Sequence, residues 1–127
     1  MPQIQQEVWI DASPSRVYRA LTDSSDFAAF TGDPARIAAQ EGGAFSCFGD
    51  LVLGRNIELV PDQRVVQAWR VFNWPEGVYS IVRFELQAEG ENTRLVLTQD
   101  GVPDTDVGHV ESGWHSKYWE PLRKHLE

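Results

Sequence analysis

This chain has little thiol chemistry: Cys47 is its single cysteine. No disulfide can close within it, and a reducing compartment suits it. Positive charge is also scarce. Eleven Lys and Arg stand against nineteen Asp and Glu, a net charge of −8. Phosphate binding needs a basic face, so neither nucleic acid nor an anionic membrane is an expected partner. The same balance favours a well-solvated surface and leaves open a contact with a basic patch on a protein. No run approaches the roughly 18 consecutive apolar residues of a membrane span. Met1 to Gln6 hold no basic region leading into an apolar stretch, so the expected location is the cytoplasm. Repeats, linkers and low-complexity tracts are missing too. Residues 1–127 are therefore expected to form a single domain with enough chain for a real core.

Reactive constellations are equally sparse. His109, His115 and His125 all fall near the C-terminus, six and ten residues apart. Ligands on one helix face recur every three or four residues, so no metal site is expected, nor any other cofactor. Cys47 has no base marked beside it, and reads as a small buried hydrophobe. No serine sits in a nucleophile-elbow context. Gly42-Gly43 and Gly49 are not followed by Gly-Lys-Ser/Thr, so they form no phosphate loop.

The chain is rich in alternation. Ile4, Val8 and Ile10 mark a first strand, and Ser13-Pro14 then opens a short helix. Thr22 to Asp26 break it before a second short helix with Phe27 and Phe30. Ala35 to Gln40 read as a short strand. From about Ala44 to Gly101 strands and turns succeed one another, the turns at Gly42-Gly43, Phe48-Gly49-Asp50, Pro61-Asp62, Trp74-Pro75-Glu76-Gly77 and Glu89 to Asn92. The chain ends in a helix of roughly Asp106 to Leu126. There Val107, Val110, Trp114, Tyr118, Leu122 and Leu126 recur every three or four residues and share a face. A sheet with one apolar face and one long helix to cover it make a two-layer domain.

A set of residues in this order resembles a known family. It comprises Ser13-Pro14, Phe30 to Ala35, Gly42 to Phe45, Leu59 to Asp62, Trp69-Arg70, Trp74 to Gly77, Thr93 to Leu95, Gly101 to Pro103 and Gly113-Trp114. The chain is similar to the activator of heat-shock protein 90 ATPase homologue-like family. That family belongs to the START-related helix-grip superfamily, also called SRPBCC. Within it the chain resembles the C-terminal domain of the heat-shock protein 90 ATPase activator, a co-chaperone that carries a separate N-terminal domain. The resemblance implies an α+β helix-grip fold: a curved antiparallel sheet of six to seven strands around a long C-terminal helix, with two short helices after strand one. It implies a non-enzymatic binding domain acting in a chaperone or stress-related interaction, with a heat-shock protein 90-type chaperone as partner, or holding a small apolar ligand between sheet and helix. The alternative is a cavity-based enzyme of the polyketide-cyclase or hydrolase kind. Monomer and homodimer both remain open.

Alternation then assigns an inner wall. The candidate pocket residues are Phe45, Cys47, Ile57, Trp69, Ser80, Val82, Phe84, Leu97 and Gln99, with Trp114 and Tyr118 as the lid. Leu53, Val78 and Leu95 are expected on the same wall. These side chains either fill a core, as inward residues of small curved sheets do, or line a cavity. Ser80 and Gln99 are polar at inward positions and need partners. An enzyme would need acid–base groups there, and no His, Asp or Glu is expected inside, so no catalytic residue is assigned. Arg70 and Arg83 alternate outward, where they either pair across strands with residues such as Glu85 or meet an acidic partner. Gly113 costs a helix about 1 kcal/mol relative to alanine, which predicts a close approach of helix to sheet. Pro121 predicts an irregular turn near Trp119, with Leu122 and Leu126 packing independently beyond it.

Overall fold

Capping chemistry sets the first elements. In the computed structural model, which describes residues 3–127, β1 (Ile4–Ile10) ends where the Ser13 hydroxyl accepts the Arg16 backbone N–H. Pro14 starts α1 (Pro14–Thr22), where its missing N–H has no intrahelical role. Asp23 ends that helix and caps α2 (Ser24–Thr31), accepting from the Asp26 N–H at 2.9 Å. Val17, Ala20, Leu21, Phe27 and Phe30 are buried from these two helices.

Six further strands complete one antiparallel sheet. They are β2 (Arg36–Ile37), β3 (Ala44–Cys47), β4 (Val52–Val60), β5 (Arg64–Val71), β6 (Ser80–Glu89) and β7 (Asn92–Asp100). The seven strands lie in the order β1-β7-β6-β5-β4-β3-β2. Successive strands from β2 to β7 are neighbours, as short turns require, and β1 closes against β7. The short strand expected over Ala35 to Gln40 shrinks to the two residues of β2. Arg70 holds the turn between β5 and β6. Its guanidinium donates to four backbone carbonyls, those of Phe72, Trp74, Pro75 and Val78, the shortest at 2.6 Å to Trp74. Neither cross-strand pairing nor partner contact, the two roles expected for it, describes this clamp.

Two expected inner-wall residues lie elsewhere. A β-bulge in β4 shifts the register between Asn56 and Glu58. The extra residue is Ile57, which stands 48% exposed. Asn56, not Ile57, turns inward and is fully buried. Val52 likewise occupies the inner position that alternation assigned to Leu53, which is half-buried. A bulge inserts one residue into a period of two, so every later side chain changes face. Strict alternation cannot see it.

The C-terminal segment begins with a 3₁₀ turn (Asp104–Asp106) and α3 (Val107–Gly113). It continues as a π-helical stretch, Trp114–Trp119, into α4 (Glu120–Leu126). The irregular turn expected near Trp119 is this π stretch. Pro121 has no N–H to donate to the preceding turn, and the Glu120 N–H already reaches back five residues to the His115 carbonyl. The i→i+5 spacing turns Trp119 inward beside Trp114 and Tyr118, and all three are buried. Leu122 and Leu126 do not pack independently; they join the one continuous core.

Two glycines make opposite demands. At Gly54 an added Cβ would lie 1.9 Å from the Ala68 carbonyl oxygen and 2.6 Å from the Phe45 ring. At Gly113 it would meet nothing within 4 Å, and the backbone is helical with φ −62°. The close helix–sheet approach expected at Gly113 belongs instead to Gly54, within the sheet. Urea denaturation should therefore move in opposite directions for the two alanine variants. Gly54→Ala should lose at least about 2 kcal/mol through overpacking, and Gly113→Ala should gain up to about 1 kcal/mol. A loss at Gly113 would mean that a contact is missing from this account.

Candidate functional site

The space between sheet and helix is occupied by aromatic side chains whose polar edges are all paired. Trp114 stacks on Trp69, centroids 5.4 Å apart, and on Trp119 at 5.6 Å. Phe84 packs edge-on to Trp114 at 5.7 Å. Tyr118 meets Phe27, Phe48 and Trp114 at 4.3 to 5.7 Å. Such pairs add to simple burial because ring edges and faces carry opposite partial charge.

A hydrogen-bonded chain crosses the layers. The Trp114 indole N–H donates to Gln99 Oε1 at 2.8 Å. Gln99 Nε2 donates to Ser80 Oγ at 3.0 Å, and that hydroxyl donates to the Trp69 carbonyl at 2.8 Å. Ser80 and Gln99, the polar candidates for holding a ligand, thus use their capacity on the protein itself. A second chain runs from Gln67 Nε2 to Asn56 Oδ1 at 3.1 Å, and from Asn56 Nδ2 to the Ala38 carbonyl at 3.1 Å. At the edges, Trp119 donates to Gln6 Oε1 at 2.7 Å and Trp74 to Asp106 Oδ2 at 2.7 Å. A longer contact of 3.5 Å joins the Trp69 indole to the Tyr118 hydroxyl.

Of the eleven candidate pocket residues, the fold brings ten together in the buried interior; Ile57 is the exception. Asn56, Trp119 and Gln67 also lie inside: the bulge hides Asn56 and the π turn hides Trp119, whereas Gln67 alternates with the buried Val65 and Trp69 along β5 and could have been found by that signal. The remaining open space is a cleft of about 70 Å³ at one end of the helix. Its walls include Trp69, Trp114 and Tyr118 with Phe48, Val52 and Val110, and Gly113 and Lys117 stand at its mouth. Drug-sized ligands occupy roughly 300 Å³ or more, so this cleft admits at most a small group. Under the sheet, around Cys47, Phe45 and Phe84, no room remains for even a water-sized sphere.

No described buried residue is a His, Asp, Glu, Lys or Arg. Among the described residues the buried polar groups are Thr22, Asn56, Gln67, Ser80, Thr93 and Gln99. Burial pushes the Cys47 thiol up to about 12. Burial first, and Cys47 second, push the Tyr118 phenol up as well, against a small opposing effect of the Trp69 hydrogen bond. All three histidines are exposed, and no group of three or more His, Cys, Asp or Glu gathers for a metal among the described residues.

Charge is distributed unevenly outside. Arg36, Arg55, Arg64, Arg70, Arg83 and Arg94 all occupy outward positions of the strands, six of the chain's eleven basic residues. Five strand carboxylates, Glu7, Glu58, Glu85, Glu89 and Asp100, share that face. Arg64 pairs with Glu58 at 2.6 Å, and Arg94 pairs with Glu7. Arg83 reaches Glu85 on its own strand at 3.8 Å, where the expectation was a cross-strand pair.

A family model described as Activator of Hsp90 ATPase homolog 1-like protein matches residues 11–127. Activator of 90 kDa heat shock protein ATPase homolog 1 of Homo sapiens is 30% identical over 112 residues, covering 88% of this chain and 33% of the human protein. The chain thus spans about a third of the length of the curated relatives it matches. A crystal structure of an HSP90 activator from Plasmodium falciparum superposes with a TM-score of 0.93 at 22% identity, over 98% of this chain and 95% of that one. The solution structure of an Aha1 dimer from Colwellia psychrerythraea gives 0.83 at 22% identity, over 100% and 97%. At those identities the two structures speak for the fold.

The Trp114–Gln99–Ser80 chain is open to a double-mutant test. Gln99→Leu strands the indole N–H, and urea denaturation should show a loss of about 2 kcal/mol. Adding Trp114→Phe should cost less than the sum of the two single changes, because the stranded donor is then gone. Additivity would mean the two groups do not interact.

Cys47 supplies a pH test. Its thiol titrates near 9.0 when unfolded and near 12 when folded, so the folded state holds the proton more tightly between those values. Its contribution to stability is complete below pH 9 and is lost as pH rises towards 12. Iodoacetamide at pH 8 should leave the native thiol unmodified and react once urea unfolds the chain. Rapid alkylation of the native protein would contradict the burial.

Proposed function

The chain belongs to the activator of Hsp90 ATPase homolog 1-like family, and we propose that it is a non-enzymatic binding domain that acts through its surface on a heat-shock protein 90-type chaperone. The observation that carries this reading is the filled interior. Aromatic rings occupy the space between helix and sheet, and the buried amides and hydroxyl are paired with one another. The residual cleft of about 70 Å³ is several-fold smaller than a ligand site. A cyclase or hydrolase would need a general acid or base poised inside, and the two titratable groups there, Cys47 and Tyr118, are held protonated. The names of the relatives point the same way: those proteins are called activators of a chaperone's ATPase. This chain matches a third of their length, so the activity assigned to it here is binding, with any effect on turnover a consequence of that binding.

The test is steady-state ATP turnover by a purified heat-shock protein 90-type chaperone titrated with the domain. A saturable change in rate is expected; an unchanged rate at saturating domain would overturn the reading for that chaperone. Indole fluorescence against a panel of apolar compounds should meanwhile show no saturable change. A saturable response quenched by filling the cleft through Gly113→Leu would move the function into the cleft.

A further inference from the structure

We infer that the outer face of β3 to β6, centred on Ile81, is a docking surface for an acidic segment of a protein partner. This deepens the chaperone-binding reading and rests on it for the identity of the partner, not for the location of the face. Ile81, Tyr79 and Phe72 are 46%, 49% and 57% exposed, three of the five large apolar residues the described structure leaves open to water. Ile81 has one small neighbour across the sheet, Ala68, and beyond it stands Arg55, so an opening lies between the isoleucine and the arginine. A partner backbone can approach such a surface closely.

Arginines rim it. Arg83 stands two residues along β6 from Ile81 and Arg55 two strands away, Arg36 lies farther out on β2, and Arg70, committed to the four carbonyls of its turn, covers the Tyr79 ring at 5.5 Å. Among the described residues Arg36 and Arg55 have no carboxylate within ion-pair distance, and Arg83 has Glu85 alone, at 3.8 Å with the guanidinium side chain 55% exposed. Asp100, the carboxylate opposite Ile81, accepts from the neutral Gln3 Nε2 at 3.1 Å and keeps its charge, so the positive side of the patch is the one towards Arg55 and Arg83. On a chain of net charge −8, Arg55, which donates to the Gly42 carbonyl but has no carboxylate partner, and the loosely paired Arg83 place positive charge beside exposed apolar side chains and select a partner of the opposite sign. A second copy brings its own net charge of −8 to the contact, and that like charge disfavours it against a different protein. A lipid surface fits less well, since the remaining faces of this acidic chain would be repelled by anionic headgroups.

The experiment is an amide-resolved NMR titration of the full chain with two probes: a short synthetic peptide of alternating glutamate and leucine, and a purified heat-shock protein 90-type chaperone. The peptide should shift amides of β5 and β6 around Ala68, Ile81 and Arg83, and its affinity should fall several-fold between about 50 and about 300 mM salt. Arg83→Glu should weaken it about tenfold, and Ile81→Thr, which keeps a β-branched residue in the strand, should also weaken it. Lys124→Glu on α4 should leave it unchanged. Chaperone-induced shifts should fall on the same amides. Shifts confined to the helix or to the β1 edge, or none from either probe, would overturn the inference. So would concentration-dependent self-association abolished by Arg83→Glu, or co-sedimentation with phosphatidylserine vesicles abolished by it. Peptide binding at this face without any effect of the domain on chaperone turnover would leave the surface standing and remove the proposed function. A change in turnover with shifts elsewhere would do the reverse.

Discussion

The buried indole N–H groups are the constraint from which the rest of this structure follows. A tryptophan contributes more apolar surface than any other side chain, but it carries one donor that cannot be left unpaired out of water. Four tryptophans are buried here, and each finds its own acceptor: Gln99 for Trp114, Gln6 for Trp119, Asp106 for Trp74 and, at longer range, Tyr118 for Trp69. Two of those acceptors stand on β1 and β7. The helix therefore cannot slide along the sheet without breaking bonds that water is not present to replace. Hydrophobic area holds the layers together, and the hydrogen bonds choose the register.

That choice has a consequence within the helix itself. Trp114 and Trp119 are five residues apart, a spacing that a regular α-helix would place on different sides. The π stretch Trp114–Trp119 brings both inward, and Pro121 just beyond it has no amide hydrogen to lose. The sequence irregularity and the packing requirement fall at the same place and are met by the same turn. Gly113, immediately before it, has open space where a side chain would project and borders the small cleft that the aromatic stack leaves.

An interior closed in this way moves the functional question outward. In a helix-grip arrangement the hollow between layers is the natural ligand site, yet here Ser80, Gln99, Gln67 and Asn56 bind each other and the rings fill the remainder. The outer face shows the opposite condition. It retains exposed apolar side chains and arginines without full pairing, and it does so on an acidic molecule. Groups that are satisfied within the fold contribute to stability, whereas groups left unsatisfied at the surface are the ones available to a partner.

Much of the architecture could be read from the chain. The Ser13-Pro14 start, the turn residues at Gly42-Gly43 and Gly90, the alternation of β5, β6 and β7 and the stripe from Val110 to Leu126 are local signals, because periodicity and capping act between residues close in sequence. They sufficed for an antiparallel sheet of six to seven strands, of which the fold has seven, under a C-terminal helix, and for the ten candidates that are buried. The bulge at Ile57, the inward turn of Trp119, the four carbonyls gathered by Arg70 and the mutual satisfaction of Gln99 and Ser80 depend on residues far apart in the chain meeting in space. A sequence states which groups need partners. Whether they find them inside the fold, and so whether the hollow is open or closed, is decided only when strand register and helix position place a particular donor against a particular acceptor.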